Sequence, residues 1–184
     1  MVEGRRCAMA TARSAAGFEN ASPYDSRFRK LALVKPSPIP ARIPIAHDDH
    51  HASRIGHLKD GRQFFVTTPF VPALGSDAGR EFIAVYLFGA DGALIEARID
   101  DLGVRAEVVE DAAHARLERR MAELGELSFG DIEVQPFSVE RFGTSFGLIP
   151  QPPDDDDDDG HWSLEMHPGN YMAFFDPWEG DYDT

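Results

Sequence analysis

Arg80-Glu-Phe-Ile-Ala-Val-Tyr-Leu-Phe88, then Asp91-Gly92, then Ala93-Leu-Ile-Glu-Ala-Arg-Ile-Asp100, is the stretch that decides the fold class. The first run is almost continuously apolar and rich in β-branched and aromatic side chains. That is the pattern of a central strand covered on both faces. Asp91-Gly92 supplies the positive φ of a tight hairpin turn. In the second run Ala93, Ile95, Ala97 and Ile99 alternate with Leu94, Glu96, Arg98 and Asp100, which reads as a strand with one wet face. Upstream, Asp60-Gly61 is a turn signal, and Gln63-Phe-Phe-Val-Thr-Thr-Pro-Phe-Val71 reads as the strand that completes a meander. Pro69 has no N–H for a ladder, so that end is expected at a sheet edge or outside the sheet.

Downstream, one helix is predicted. Asp111 is the expected N-cap, and Ala113, Leu117, Met121 and Leu124 form one stripe of a 3.6-residue period. Gly125 is placed to end it. Arg116, Glu118, Arg119, Arg120 and Glu123 are expected mainly on the wet side. Asp131-Ile-Glu-Val-Gln-Pro-Phe-Ser-Val139 reads as the next strand, alternating through Ile132 and Val134, and Arg141-Phe-Gly-Thr-Ser-Phe-Gly-Leu-Ile149 as another with a bend at Gly143. Trp162, Leu164 and Met166 alternate as another strand, Pro168-Gly-Asn170 turns the chain, and Tyr171-Met-Ala-Phe-Phe175 makes the last strand. The expected class is therefore α+β: a mainly antiparallel sheet of about six or seven strands with one principal helix on a face.

The 184 residues are 42% hydrophobic, with 13 Phe, enough for one sizeable core. Residues 1–40 read as a flexible basic arm: Ala, Ser and Arg dominate, and Pro36, Pro38 and Pro40 favour extended chain. Its composition also has something of a transit peptide, or of a start placed upstream of Met9. Residues 41–184 read as a single α+β domain with an acidic loop at 151–160. The lone Cys7 forms no internal disulfide, and no apolar leader or membrane-length segment is visible, so a cytoplasmic protein is expected.

The net charge of −14 is unevenly spread. Residues 1–44 hold eight Lys/Arg against three Asp/Glu, and residues 45–150 hold ten against eighteen. Residues 151–184 hold eleven Asp/Glu and no Lys or Arg. Nucleic-acid phosphates repel such a core, so the expected partner is a basic protein. Asp154, Asp155, Asp156, Asp157, Asp158 and Asp159 are the leading interaction candidates. A calcium loop would space its ligands and turn at a glycine, which this run does not. Trp178 and Tyr182, large aromatics in the acidic tail, are either partner-binding or a latch that folds back on the sheet.

Three other patterns invite chemistry. His47-Asp-Asp-His-His51 with His57 could supply a zinc or iron shell, although its spacing matches no metal motif. Gly143-Thr-Ser-Phe-Gly147 has the spacing of a nucleophile elbow around Ser145. Such an elbow needs a helix after the serine, and Phe146, Leu148 and Pro150 continue a strand instead. The glycine-rich pieces lack the Gly-Lys-Ser/Thr of a phosphate loop, so no cofactor is indicated.

Arg54-Ile-Gly-His-Leu-Lys-Asp-Gly-Arg-Gln-Phe-Phe65, Gly130-Asp-Ile-Glu-Val-Gln-Pro-Phe137, Phe146-Gly-Leu148 and Pro177-Trp-Glu-Gly-Asp-Tyr-Asp-Thr184 together resemble a bacterial family of small acidic proteins. Some members carry the label formate hydrogenlyase regulatory protein. The resemblance runs from about Ile43 to Thr184. It implies a regulatory role, and it brings no catalytic or ligand residues to carry over. The basic arm and the aspartate run depart from the family's pattern. The leading expectation is a non-enzymatic interaction or regulatory protein whose acidic surface meets a basic partner. The alternative is a metal-binding enzyme or sensor using His47, His50, His51 and His57.

Overall fold

In the computed structural model, which describes residues 39–153 and 160–184, every side chain from position 82 to position 88 is at most 2% exposed. The acidic run at 154–159 and most of the expected arm lie outside the described residues. Phe82, Ala84, Tyr86 and Phe88 point into one core, while Ile83, Val85 and Leu87 point into a second. Successive strand residues face opposite ways, so a continuous apolar run needs cover on both sides.

The elements in chain order are β1 (Ile43–Ile45), β2 (Ile55–Leu58), β3 (Gln63–Thr67), β4 (Phe70–Val71), β5 (Arg80–Phe88) and β6 (Leu94–Val104). A short 3-10 turn (Arg105–Glu107) leads to helix α1 (Glu110–Glu123). Then come β7 (Leu127–Phe129), β8 (Ile132–Val134), β9 (Phe137–Arg141), β10 (Thr144–Gln151), β11 (Ser163–His167) and β12 (Ala173–Phe174).

The expected α+β class is the class observed, with one main helix and antiparallel strands. The strands are divided among three sheets rather than laid in one. Six form the sheet β4-β5-β3-β2-β7 with β6 on the other side of β5; four form β12-β11-β10-β9; and β1 pairs with β8. The larger core lies between the six-stranded sheet and the other two. It packs Phe65, Tyr86 and Phe88 against Phe146, Leu164 and Phe174, with Ile43 and Val134 at one end. The smaller core packs Phe64, Val66, Val85 and Leu87 under Leu117 of α1.

Gln63 joins two of the sheets. Its buried amide donates to the carbonyls of Gly89 (3.1 Å) and Glu133 (2.9 Å), and its side-chain oxygen accepts from the Glu133 N–H (2.7 Å). One side chain thus supplies β8 with the bonds that a neighbouring strand would otherwise give.

Several local expectations are corrected. Residues 63–71 do not make one strand: the chain breaks at Thr68-Pro69 and resumes as β4, still beside β5. Pro69 donates nothing but accepts from the Phe82 N–H at 2.9 Å. The alternation in β6 changes phase at Ile95, which is 58% exposed, because Leu87 pairs with Glu96 and Phe88 with Leu94. One extra residue in a strand is a bulge, and it reverses which side chains face in. Helix α1 starts after Val109, not Asp111, and carries Glu110 and Asp111 in its first turn, where acidic groups suit the helix dipole. Gly125 does take the left-handed conformation, with φ +82°. Arg120 is not a wet-side residue: its guanidinium forks onto Asp100 of β6 with two bonds of 2.7 Å. Residues 131–139 are not one strand but β8 and the start of β9, in different sheets, and the expected bend at Gly143 is the turn between β9 and β10. Of the expected last strand, residues 171–175, only β12 is strand.

Candidate functional site

The tail folds back on the larger core, against which Trp178 and Tyr182 pack half-buried. Its backbone is tied at two places. Ala46 donates to the Gly180 carbonyl (3.2 Å), and Ala173 and Asp183 exchange bonds of 3.0 and 2.9 Å, which covers the edge of β12. Trp178 sits at φ +61°, with its indole N–H buried and unpaired.

Tyr182 also fastens the histidine loop. Its hydroxyl donates to the Asp48 carboxylate and accepts from the His51 N–H at 3.2 Å. Asp48 further accepts from the N–H groups of His50 (2.8 Å) and Ala52 (2.9 Å). Burial opposes ionisation of Asp48, but the Tyr182 hydroxyl and the two N–H donors outweigh it and hold the carboxyl below its usual range. Burial and the bond to Asp48 push the Tyr182 phenol up to about 12. Burial and the neighbouring His50 lower His51. An anionic Asp48, a neutral phenol and a disfavoured imidazolium form a closed set that holds the loop.

The histidines do not assemble into a ligand shell. The His47 N–H goes to the Asp131 carboxylate (2.8 Å), His57 Nε2 lies 2.8 Å from the Asp131 carbonyl, and the His50 and His51 rings meet edge to face at 4.2 Å. Among the described residues, no three His, Cys, Asp or Glu side chains are placed to hold a metal ion. Ser145 lies inside β10, opposite Glu140 of β9, and its hydroxyl donates to that carboxylate. Phe142 and Gly143, at φ +53° and +72°, are the turn of that hairpin. Strand continues after Ser145, so no nucleophile elbow forms.

A hollow of about 500 Å³ lies between His57, Asp131 and Glu133. Another open surface lies beside the tail. A hollow of about 350 Å³ is lined by Glu165, Met166, Tyr171, Met172, Phe175 and Asp183, among others. Tyr171 is 60% exposed and Phe175 39%. The turn before Tyr171 is fixed by close approach. A Cβ on Gly169, at φ +54°, would lie 2.2 Å from the Phe70 carbonyl oxygen, so only glycine fits there. Asn170, 6% exposed, accepts from the Thr67 hydroxyl at 2.8 Å. Tyr171 is thereby held at φ +51°, with its ring 5.5 Å from Phe70 and its outer face in the open. The sequence pattern placed Tyr171 in a strand, and nothing in hydrophobic alternation signals a non-glycine residue at positive φ. The turn signal Pro168-Gly-Asn170 was the only available clue.

Two carboxylates, Glu165 and Asp183, line this hollow, and Asp176, Glu179 and Asp181 line an adjoining one that shares Asp183 and Phe175 with it. Asp176, Glu179, Asp181 and Asp183 are exposed, and no ion pair of theirs is seen among the described residues. Glu165 lies 3.4 Å from His167 and accepts from the Ser163 hydroxyl at 3.1 Å. No Lys or Arg follows Arg141 in the chain. Tyr182 lines the adjoining hollow, and Trp178 lines neither.

No family model, no curated protein and no solved structure matches this chain. No helix among the described residues is long and apolar enough to cross a membrane.

Proposed function

We propose that the protein is a non-enzymatic interaction or regulatory protein whose acidic surface binds a basic protein partner. The observation that carries this reading is the one-sided charge of residues 151–184, which hold eleven Asp/Glu and no Lys or Arg. A segment with so strong an excess of acidic groups attracts a cationic partner and speeds its encounter. Asp154 to Asp159 would add long-range attraction, and the exposed carboxylates by the tail would provide short-range pairing. The regulatory role implied by the family resemblance agrees with a surface that recognises and does not transform.

Titrating the full chain with a lysine- and arginine-rich peptide, at a series of salt concentrations, tests this directly. Binding should be clear at low salt and weaken steadily as salt rises. Equal binding of a neutral peptide of the same length would contradict it.

A further inference from the structure

We infer that the hollow beside the tail is a docking groove for an arginine side chain of a protein partner. This inference rests on the proposed acidic-surface function and names its point of contact. The floor is apolar, made by Met166, Met172 and Ala173. Tyr171 and Phe175 present exposed aromatic rings to it, and Glu165 and Asp183 set carboxylates around it. An aromatic face attracts a guanidinium, and a nearby carboxylate accepts its hydrogens two at a time.

The protein already makes this arrangement once with an arginine of its own. Arg105 stacks 4.2 Å over the Phe70 ring and lies 3.2 Å from Glu81. That contact lines a neighbouring hollow of about 360 Å³, and Tyr171 is shared between the two. The tail groove repeats the pairing of aromatic ring and carboxylate, but none of its lining residues is a lysine or arginine; its one basic side chain, His167, lies 3.4 Å from Glu165 and leaves Asp183 without a counter-charge among the described residues. Charge complementarity therefore selects a cation. The rings favour arginine over lysine, because a planar guanidinium stacks and an ammonium holds its water more tightly. Tyr171 at φ +51° costs backbone strain to keep its ring at the mouth of the groove.

The test uses the full chain and two peptides of equal length and charge, one arginine-based and one lysine-based. The arginine peptide should bind about tenfold more tightly. Tyr171→Ala and Phe175→Ala should each remove most of that preference, weakening the arginine peptide more than the lysine peptide. Asp183→Asn should weaken the arginine peptide without loss of fold, since Asp183 holds β12 through its backbone alone. Melting curves for each variant confirm folding. If the two peptides bind equally and the variants match the parent, the groove is not the contact, while the acidic-surface function stands. If neither peptide binds at low salt, both fall.

Discussion

The side chain of Gln63 and the backbone of Glu133 exchange two hydrogen bonds, of 2.9 and 2.7 Å, across 70 residues of chain. A third bond runs from Gln63 to the Gly89 carbonyl at 3.1 Å. This amide stands where a strand is missing, between β3 and β8. Gln63→Leu keeps the volume and leaves one N–H and two carbonyls to find other partners. It should cost about 2–4 kcal/mol, read from urea unfolding, since each orphaned buried group costs about 1–3 kcal/mol. A variant as stable as the parent would show that the sheets are joined by apolar packing alone.

Asp100 pins α1 to β6 through Arg120. The Arg120 hydrogen bonds, helped by the charges of Arg120 and Arg116, hold the Asp100 carboxyl below its usual range against some desolvation. Its folded-state value lies below the unfolded one. Its contribution is therefore complete above the unfolded value of about 3.9 and is lost as pH falls through the folded value. Asp100→Asn should lower stability at pH 7 by about 1–3 kcal/mol. The gap from the parent should narrow in acid below about pH 4. A gap that stays constant down to pH 2–3 would mean that the ion pair is not its source.

Trp178 packs against the larger core without being fully enclosed. Trp178→Ala should cost about 3 kcal/mol, the lower end for a core tryptophan, and lower the melting temperature by several degrees. An unchanged melting curve would make Trp178 a surface residue available to a partner.

Tyr182→Phe removes the hydroxyl shared by Asp48 and the His51 N–H. The Asp48 titration, followed by carboxyl NMR, should move upward, because that hydroxyl holds it down. Tyr182 itself is pushed up to about 12, above its unfolded value, so its contribution is full below about pH 10 and lost on the way to 12. The phenylalanine variant should lose about 0.5–1.5 kcal/mol at neutral pH and show a shallower decline in alkali. An unmoved Asp48 would contradict the contact.

Local pattern carried the sequence reading far. The buried run in β5, the Asp91-Gly92 turn, α1 and the alternation of β8 all follow from neighbours in the chain. The division into three sheets does not, because β1 pairs residues 43–45 with residues 132–134 and the join runs through one glutamine. Ile95 misled because a bulge shifts the strand period without any glycine or proline to mark it. Arg120 misled because a helical stripe counts apolar positions and overlooks a cation drawn inward by Asp100. At the tail, two aromatics among acids were enough to single out Trp178 and Tyr182. The partner of Tyr182, Asp48, 134 positions away, was not legible.

The central claim is that acidity after residue 150 recognises a basic partner, and salt dependence measures it most directly. The full chain and a variant with Asp154 to Asp159 all changed to Ser are titrated with the same arginine-rich peptide over a salt series. The account predicts a clearly flatter dependence of log Kd on log salt for the variant, with the arginine preference retained. Equal affinity at every salt concentration for the two proteins would contradict it.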